Sequence, residues 1–270
     1  MTEQSTLEAY FAAQSSYWRD VYSGDDVNGV IYRQRQAIAL AWVDSLGLPA
    51  GARILEIGCG AGFVAVSLAS RGFEVEASDS VPEMLELAGA HAAEAGVEER
   101  IRFSSQDAHA LAFDDGSFDL VIALGVLPWL HTPQRGAQEV ARVLAPGGAF
   151  IGSVDSATRL HYRFDPKLTP ALAGARRALR TVSRHERRRE AAICTMLTQG
   201  EFDRLLVSAG LERERMRGFG YGPFTVLGRP VLPARVGVAV HRRLQALADG
   251  GSGHLARGAA QYIALARKRP

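Results

Sequence analysis

From Arg53 to Asp155 short apolar runs alternate with stretches whose apolar positions recur at helical spacing. The runs predict strands over 53–57, 73–78, 101–106, 118–124 and 148–154, and the helical spacing predicts helices over 61–71, 82–95 and 134–144. The last helix stops before "APGG", a proline and two glycines that suit a helix-to-strand corner. Strands alternating with helices imply right-handed crossovers and a mostly parallel, doubly wound α/β sheet.

Helical patterns precede this core over 5–20 and 29–46, and follow it over 170–190 and 199–209. Two late strands, 212–219 and 260–267, bring the sheet to seven, and the region between them, with "GRPVLP" and "ADGGSGH", reads as an insertion or lid. The division this suggests is an N-terminal helical cap, 1–48, and an α/β core, 49–157. A C-terminal part, 158–270, would carry a basic helical insertion and the closing strands.

Composition narrows the class. The 270 residues are 47% hydrophobic and 22% charged, as in a soluble globular protein, and the formal charge of +2 gives no ground for a nucleic-acid partner. No run of about eighteen apolar residues predicts a membrane span. The start lacks the basic end and apolar stretch of a signal peptide, so a cytoplasmic location is expected. Two distant cysteines, Cys59 and Cys194, predict neither a disulfide framework nor a metal site.

The chemistry concentrates at "ILEIGCGAGF", residues 54–63. A dinucleotide fingerprint wants a third glycine where Phe63 stands, which argues against a nicotinamide cofactor. The spacing is instead Glu-x-Gly-x-Gly-x-Gly, from Glu56 to Gly62. Glycines let main chain approach a ligand closely, and a carboxylate two residues ahead suits an ammonium group better than a pyrophosphate. S-adenosylmethionine carries such an amine and a cationic sulfur. Asp79, closing the second strand, could accept both ribose hydroxyls, and Asp107, closing the third, could accept from the adenine amino group. Each has a plain alternative: the glycines as a tight corner, Asp79 as the cap of the helix at Pro82, Asp107 as the cap of a turn.

With "VEASDSVPEMLELA", "QDAHALAFDDGSFDLVIALGVLPWL" and "EVARVLAPGGAFIGSVD", the chain resembles the class I S-adenosylmethionine-dependent methyltransferases over about 53–155. Within that superfamily it looks most like the branch of ubiquinone-pathway and natural-product small-molecule enzymes. The resemblance implies a Rossmann-like methyltransferase fold and cofactor contacts from Glu56, Gly58, Cys59, Gly60, Gly62, Asp79, Ser80, Asp107 and Ala108. It also implies backbone near the cofactor from Leu124, and Tyr32 and Arg35 in an N-terminal segment folded over the site, Arg35 pairing with the methionyl carboxylate.

The acceptor side is less marked. After the fourth strand, "ALGVLPWLH" lacks the Asn/Asp-Pro-Pro-aromatic box of enzymes that methylate DNA bases or glutamine. It offers Leu127, Pro128 and Trp129, a wall for a greasy or aromatic acceptor, or plain packing. Methyl transfer to a small molecule, with oxygen favoured over carbon, is the expected reaction. His131, His161 and Tyr22 are the candidate catalytic side chains. The arginines of "ARRALRTVSRHERRRE" read as a solvated face, as a cap for an anionic or carrier-bound acceptor, or, third, as a surface for RNA or anionic lipid, against which stands the lack of interleaved aromatics. Cyclisation with the same cofactor, a nicotinamide oxidoreductase and a non-catalytic binding module stay open, as does the oligomeric state, a dimer included.

Overall fold

The structure, a computed structural model, describes residues 3–163, 165, 169, 194–227 and 229–269; the arginine-rich stretch 170–190 lies outside them. Strands β1 (Arg53–Ile57), β2 (Glu74–Asp79), β3 (Ile101–Ser105), β4 (Phe118–Leu124), β5 (Leu144–Asp155), β6 (Leu211–Phe219) and β7 (Gln261–Lys268) form one sheet in the order β3-β2-β1-β4-β5-β7-β6. The first five pair in parallel, and β7 runs antiparallel between β5 and β6. This is the doubly wound sheet expected, with all seven strands near their predicted places.

Helices cover both faces, which is why the central strands read as unbroken apolar runs. Ile54, Ile122, Ile151 and Ile263 face one core with α3 (Val27–Leu46), α4 (Phe63–Ala69), α5 (Pro82–Glu94) and α8 (Ala234–Asp249). Their neighbours Leu55, Val121, Phe150 and Tyr262 face the other, with α6 (Pro133–Val143) and α7 (Gln199–Ser208). The period of two along each strand sends successive side chains to opposite cores. Asp26 starts α3 by accepting from the Gly29 N–H at 2.8 Å. Thr198 and Glu201 start α7 with a reciprocal capping box.

Several details differ from the sequence pattern. The helix expected over 5–20 is two, α1 (Glu3–Ala13) and α2 (Ser15–Asp20), because Gln14 leaves helical geometry. The helix expected from 61 begins at Phe63, since Gly60 and Gly62 hold positive φ. The "APGG" corner lies inside β5: Leu144 already pairs with Phe118, and the register shifts before Ala149 pairs with Leu120. The region 220–260 is not a lid over the sheet. Its main element, α8, buries Val238 and Ala248, and Gly237 packs closely against Val27 of α3.

Candidate functional site

A cavity opens at the carboxyl ends of the parallel strands, where open α/β sheets take their ligands. Register brings the strand ends together: Ile57 pairs with Ser78, and Asp79 with Ser105. Glu56, Gly58, Cys59, Gly60, Asp79, Ser80, Asp107, Ala108 and Leu124 all line the cavity, with Tyr22, Tyr32 and Arg35 from the N-terminal segment.

Two buried groups of its lining each carry an atom with no partner among the described residues. Glu56 Oε2 has no partner, and burial pushes the carboxyl up to about 8, against the opposing pull of the Ala65 N–H. Arg35 is 6% exposed; its Nη2 donates to the Tyr22 hydroxyl at 3.2 Å, while Nε has no partner. A buried polar atom without a partner costs about 1–3 kcal/mol, so an acid and a guanidinium left short in one cavity mark where a ligand's ammonium and carboxylate would fit. Gly125 makes room for the guanidinium: at its φ of +77°, a Cβ would stand 2.6 Å from Arg35 Nη1.

Asp79 does not cap α5, whose N-cap position is Val81 with no side-chain cap bond. Its Oδ1 accepts from the Val81 N–H at 3.0 Å and its Oδ2 from the Gly60 N–H at 2.9 Å, so it latches the glycine turn to β2. Burial raises its carboxyl, and the N–H groups of Gly60, Val81 and Ser80 offset only part of that. A carboxylate can accept about four hydrogen bonds, which leaves capacity for a diol. Burial likewise opposes ionisation of Asp107, but the backbone and ring of His109, at 2.9 and 2.8 Å, outweigh it and hold the carboxyl below the usual range.

The roof is a chain of rings. Trp129 meets Phe11 edge-on at 5.1 Å, and Phe11 meets Trp18 at 5.6 Å. Trp18 meets Tyr32 at 5.7 Å, Tyr32 meets Tyr22 at 5.8 Å, and Tyr22 lies on Phe63 at 4.4 Å. The break at Gln14 turns the chain so that Phe11 and Trp18 can both line the cavity.

Residues 55–152 match the sequence model of the methyltransferase-domain family. The ubiquinone biosynthesis O-methyltransferase of Psychrobacter arcticus is 29% identical over 65% of this chain, and the chain spans 65% of that enzyme's length, just under two thirds. Residues 55–152 are a methyltransferase domain, and the chain is similar to the class I S-adenosylmethionine-dependent methyltransferases. The ubiquinone biosynthesis O-methyltransferase of Azoarcus sp. is 28% identical over 76% of this chain and 84% of its own length. The magnesium protoporphyrin IX methyltransferase of Synechocystis PCC 6803, solved with bound S-adenosylhomocysteine, aligns over 98% of this chain and 99% of its own. Its TM-score is 0.65 and its identity 19%, a likeness of fold.

Some expected site residues stand elsewhere. Gly62 does not line the cavity; it packs α4 on α5, where a Cβ would come within 2.8 Å of Ala88 Cβ. His131 is an exposed ring stacked on His109 at 3.9 Å and bonded to Thr132 Oγ1, because its loop directs it away from the cavity. His161 is buried in the turn Leu160–Arg163, edge-on to Tyr162, and also lies outside the lining. The lining adds Leu7, Phe11, Trp18, Met84, Asp155 and Gln261, which the sequence pattern did not mark. Among the described residues no helix is long and apolar enough to cross a membrane.

Proposed function

We propose that this chain transfers a methyl group from S-adenosylmethionine to a hydroxyl of a small, largely apolar acceptor. The observation that carries the reading is the pair of unpartnered buried atoms, Glu56 Oε2 and Arg35 Nε, in the lining of one cavity. They suit the ammonium and carboxylate of an amino acid, and no fully apolar ligand would need them. Asp79 would hold the ribose hydroxyls, and Asp107 with Ala108 the adenine. When bound, the cofactor supplies an electrophilic methyl group on a sulfonium.

The chain's own part is placement and exclusion of water. Arg35, pinned over the Tyr32 ring at 4.7 Å and against Tyr22, fixes one end of the ligand, and the ring roof shields the reacting centre. Holding an acceptor in line with the methyl group can supply much of the acceleration. An oxygen acceptor is supported by the O-methyltransferase activity for which the relatives are named, and an apolar ring acceptor by Phe11, Trp18 and Trp129 in the lining. With neither His131 nor His161 on the cavity, the reading asks no histidine to act as base.

Calorimetry with S-adenosylhomocysteine and with NADH tests the cofactor: the first is expected to bind and the second not. Methyl-labelled S-adenosylmethionine then separates transfer from cyclisation, since only transfer moves label into the acceptor. Binding of NADH in place of the nucleoside would sink the reading.

A further inference from the structure

One side of the cavity is polar without serving the cofactor groups just named. Glu56, Asp79 and Asp107 stand over β1, β2 and β3. Asp155 closes β5, two strands beyond β1 in the opposite direction, about 10 Å away at the usual strand spacing. Across from it on β7 is its register partner Gln261. Both line the cavity, with Trp18 from the roof.

The hydrogen bonds among these groups leave a definite remainder. Asp155 Oδ1 is taken by the Arg159 guanidinium and by Gln261 Nε2 at 3.3 Å. Arg159 is itself fixed by donating to the Ser156 carbonyl at 3.0 Å and by lying over Tyr162. Asp155 Oδ2 receives only the Cys194 thiol, at 3.6 Å, among the described residues, and a thiol is a weak donor. The bond to Asp155 sets which way the Gln261 amide points. That residue is 8% exposed and its Oε1 has no partner among the described residues. Trp18 Nε1, a donor, is also buried and unpartnered.

We infer that Asp155, Gln261 and Trp18 form the polar anchor of the acceptor, taking the single proton of a hydroxyl group at Asp155 Oδ2, with Gln261 Oε1 as its second, weaker acceptor, within an otherwise ring-lined pocket. This deepens the methyltransferase reading and rests on it. Two acceptor atoms call for a ligand that donates, and Trp18 Nε1–H serves the ligand's oxygen lone pair. In the reaction the acceptor oxygen forms the bond to the methyl carbon, and the electron pair of the broken carbon–sulfur bond stays on sulfur. The hydroxyl proton passes to Asp155 Oδ2 and on to solvent. An acceptor whose hydroxyl is already capped cannot make these bonds, so the anchor sets specificity for a free hydroxyl.

The test uses the full chain saturated with S-adenosylhomocysteine, probed with 2-naphthol and 2-methoxynaphthalene by fluorescence titration. Wild type is expected to prefer 2-naphthol by about 10- to 100-fold, the size of a lost charge-assisted hydrogen bond. Asp155→Asn should cut that preference below about threefold, and Gln261→Leu, which removes only the neutral acceptor, should reduce it about two- to fivefold. Affinity for 2-methoxynaphthalene and for S-adenosylhomocysteine should stay unchanged. Gln261→Leu keeps the Asp155–Arg159 pair, so it reports even where Asp155→Asn fails to fold. Equal binding of both probes by wild type, or an undiminished preference in either folded variant, would overturn the proposal. So would loss of S-adenosylhomocysteine affinity in Asp155→Asn, because Asp155 would then belong to the cofactor. Failure of wild type to bind S-adenosylhomocysteine would overturn the methyltransferase reading itself, and the anchor with it.

Discussion

Replacing Glu56 by Gln should make the empty protein more stable and the cofactor bind worse. The carboxyl is 3% exposed, and burial raises it from 4.5 to about 8. At about 1.36 kcal/mol per tenfold change in proton affinity, full ionisation of the folded chain costs ~4–5 kcal/mol relative to the unfolded one. The folded state binds this proton more tightly than the unfolded state. Stability from this group is therefore greatest below pH 4.5, declines as pH rises to about 8, and is flat beyond. Glutamine, uncharged and similar in size, has no such slope. Urea denaturation without cofactor, from pH 5 to 9, should show the variant gaining at least ~2 kcal/mol on wild type across that range. Titration with S-adenosylhomocysteine should show affinity falling about 10- to 100-fold, because an amide offers the ligand's ammonium no charge. Parallel pH profiles would mean that the carboxyl is not destabilised by burial. Undiminished affinity would mean that Oε2 does not face the ligand. Either result would break the argument from the unpartnered atom.

Three further outcomes follow. Asp79→Ala should weaken S-adenosylhomocysteine binding about 10- to 100-fold, and unchanged affinity by calorimetry would leave Asp79 only a latch for the Gly60 turn. Gly62→Ala, at a φ of +79° and with Ala88 Cβ 2.8 Å from the added methyl, should cost about 1–3 kcal/mol in urea denaturation; Ala88→Gly beside it should recover the steric part and leave the backbone strain. His161 is pushed down to about 4 by burial, first, and by Arg159, so the unfolded chain takes up a proton at this site before the folded one does. Its contribution to stability should be present above pH 6.5 and lost as pH falls toward 4, and His161→Gln should flatten acid denaturation over that window.

What could be read in advance, and what could not, divides by how each side chain reaches the cavity. Glu56, Asp79 and Asp107 were legible because a parallel sheet sets all its carboxyl ends on one edge, and the period of two marks where each strand stops. Gly62 shows the limit of a motif: the pattern Gly-x-Gly-x-Gly is real, but its third member meets Ala88 of α5, a contact no local spacing displays. His131 and His161 follow strand ends, as a base would. A loop residue's distance along the chain from a strand does not say on which side its ring leaves, and both leave away from the cavity.

The roof depends on a turn at Gln14 with no glycine or proline to announce it, so Phe11 and Trp18 looked like one stripe of a longer helix. Asp155 and Gln261 are the extreme case, 106 residues apart and joined only because β7 enters antiparallel beside β5. Local pattern therefore exposes the half of the site built by successive parallel strands, the half that would hold the cofactor. The other half is assembled by the N-terminal turn and the returning strand, and it is the half that would meet the acceptor. Chains alike in the first half can thus differ freely in the second, which is why resemblance over 53–155 says more about the methyl donor than about what receives the methyl group.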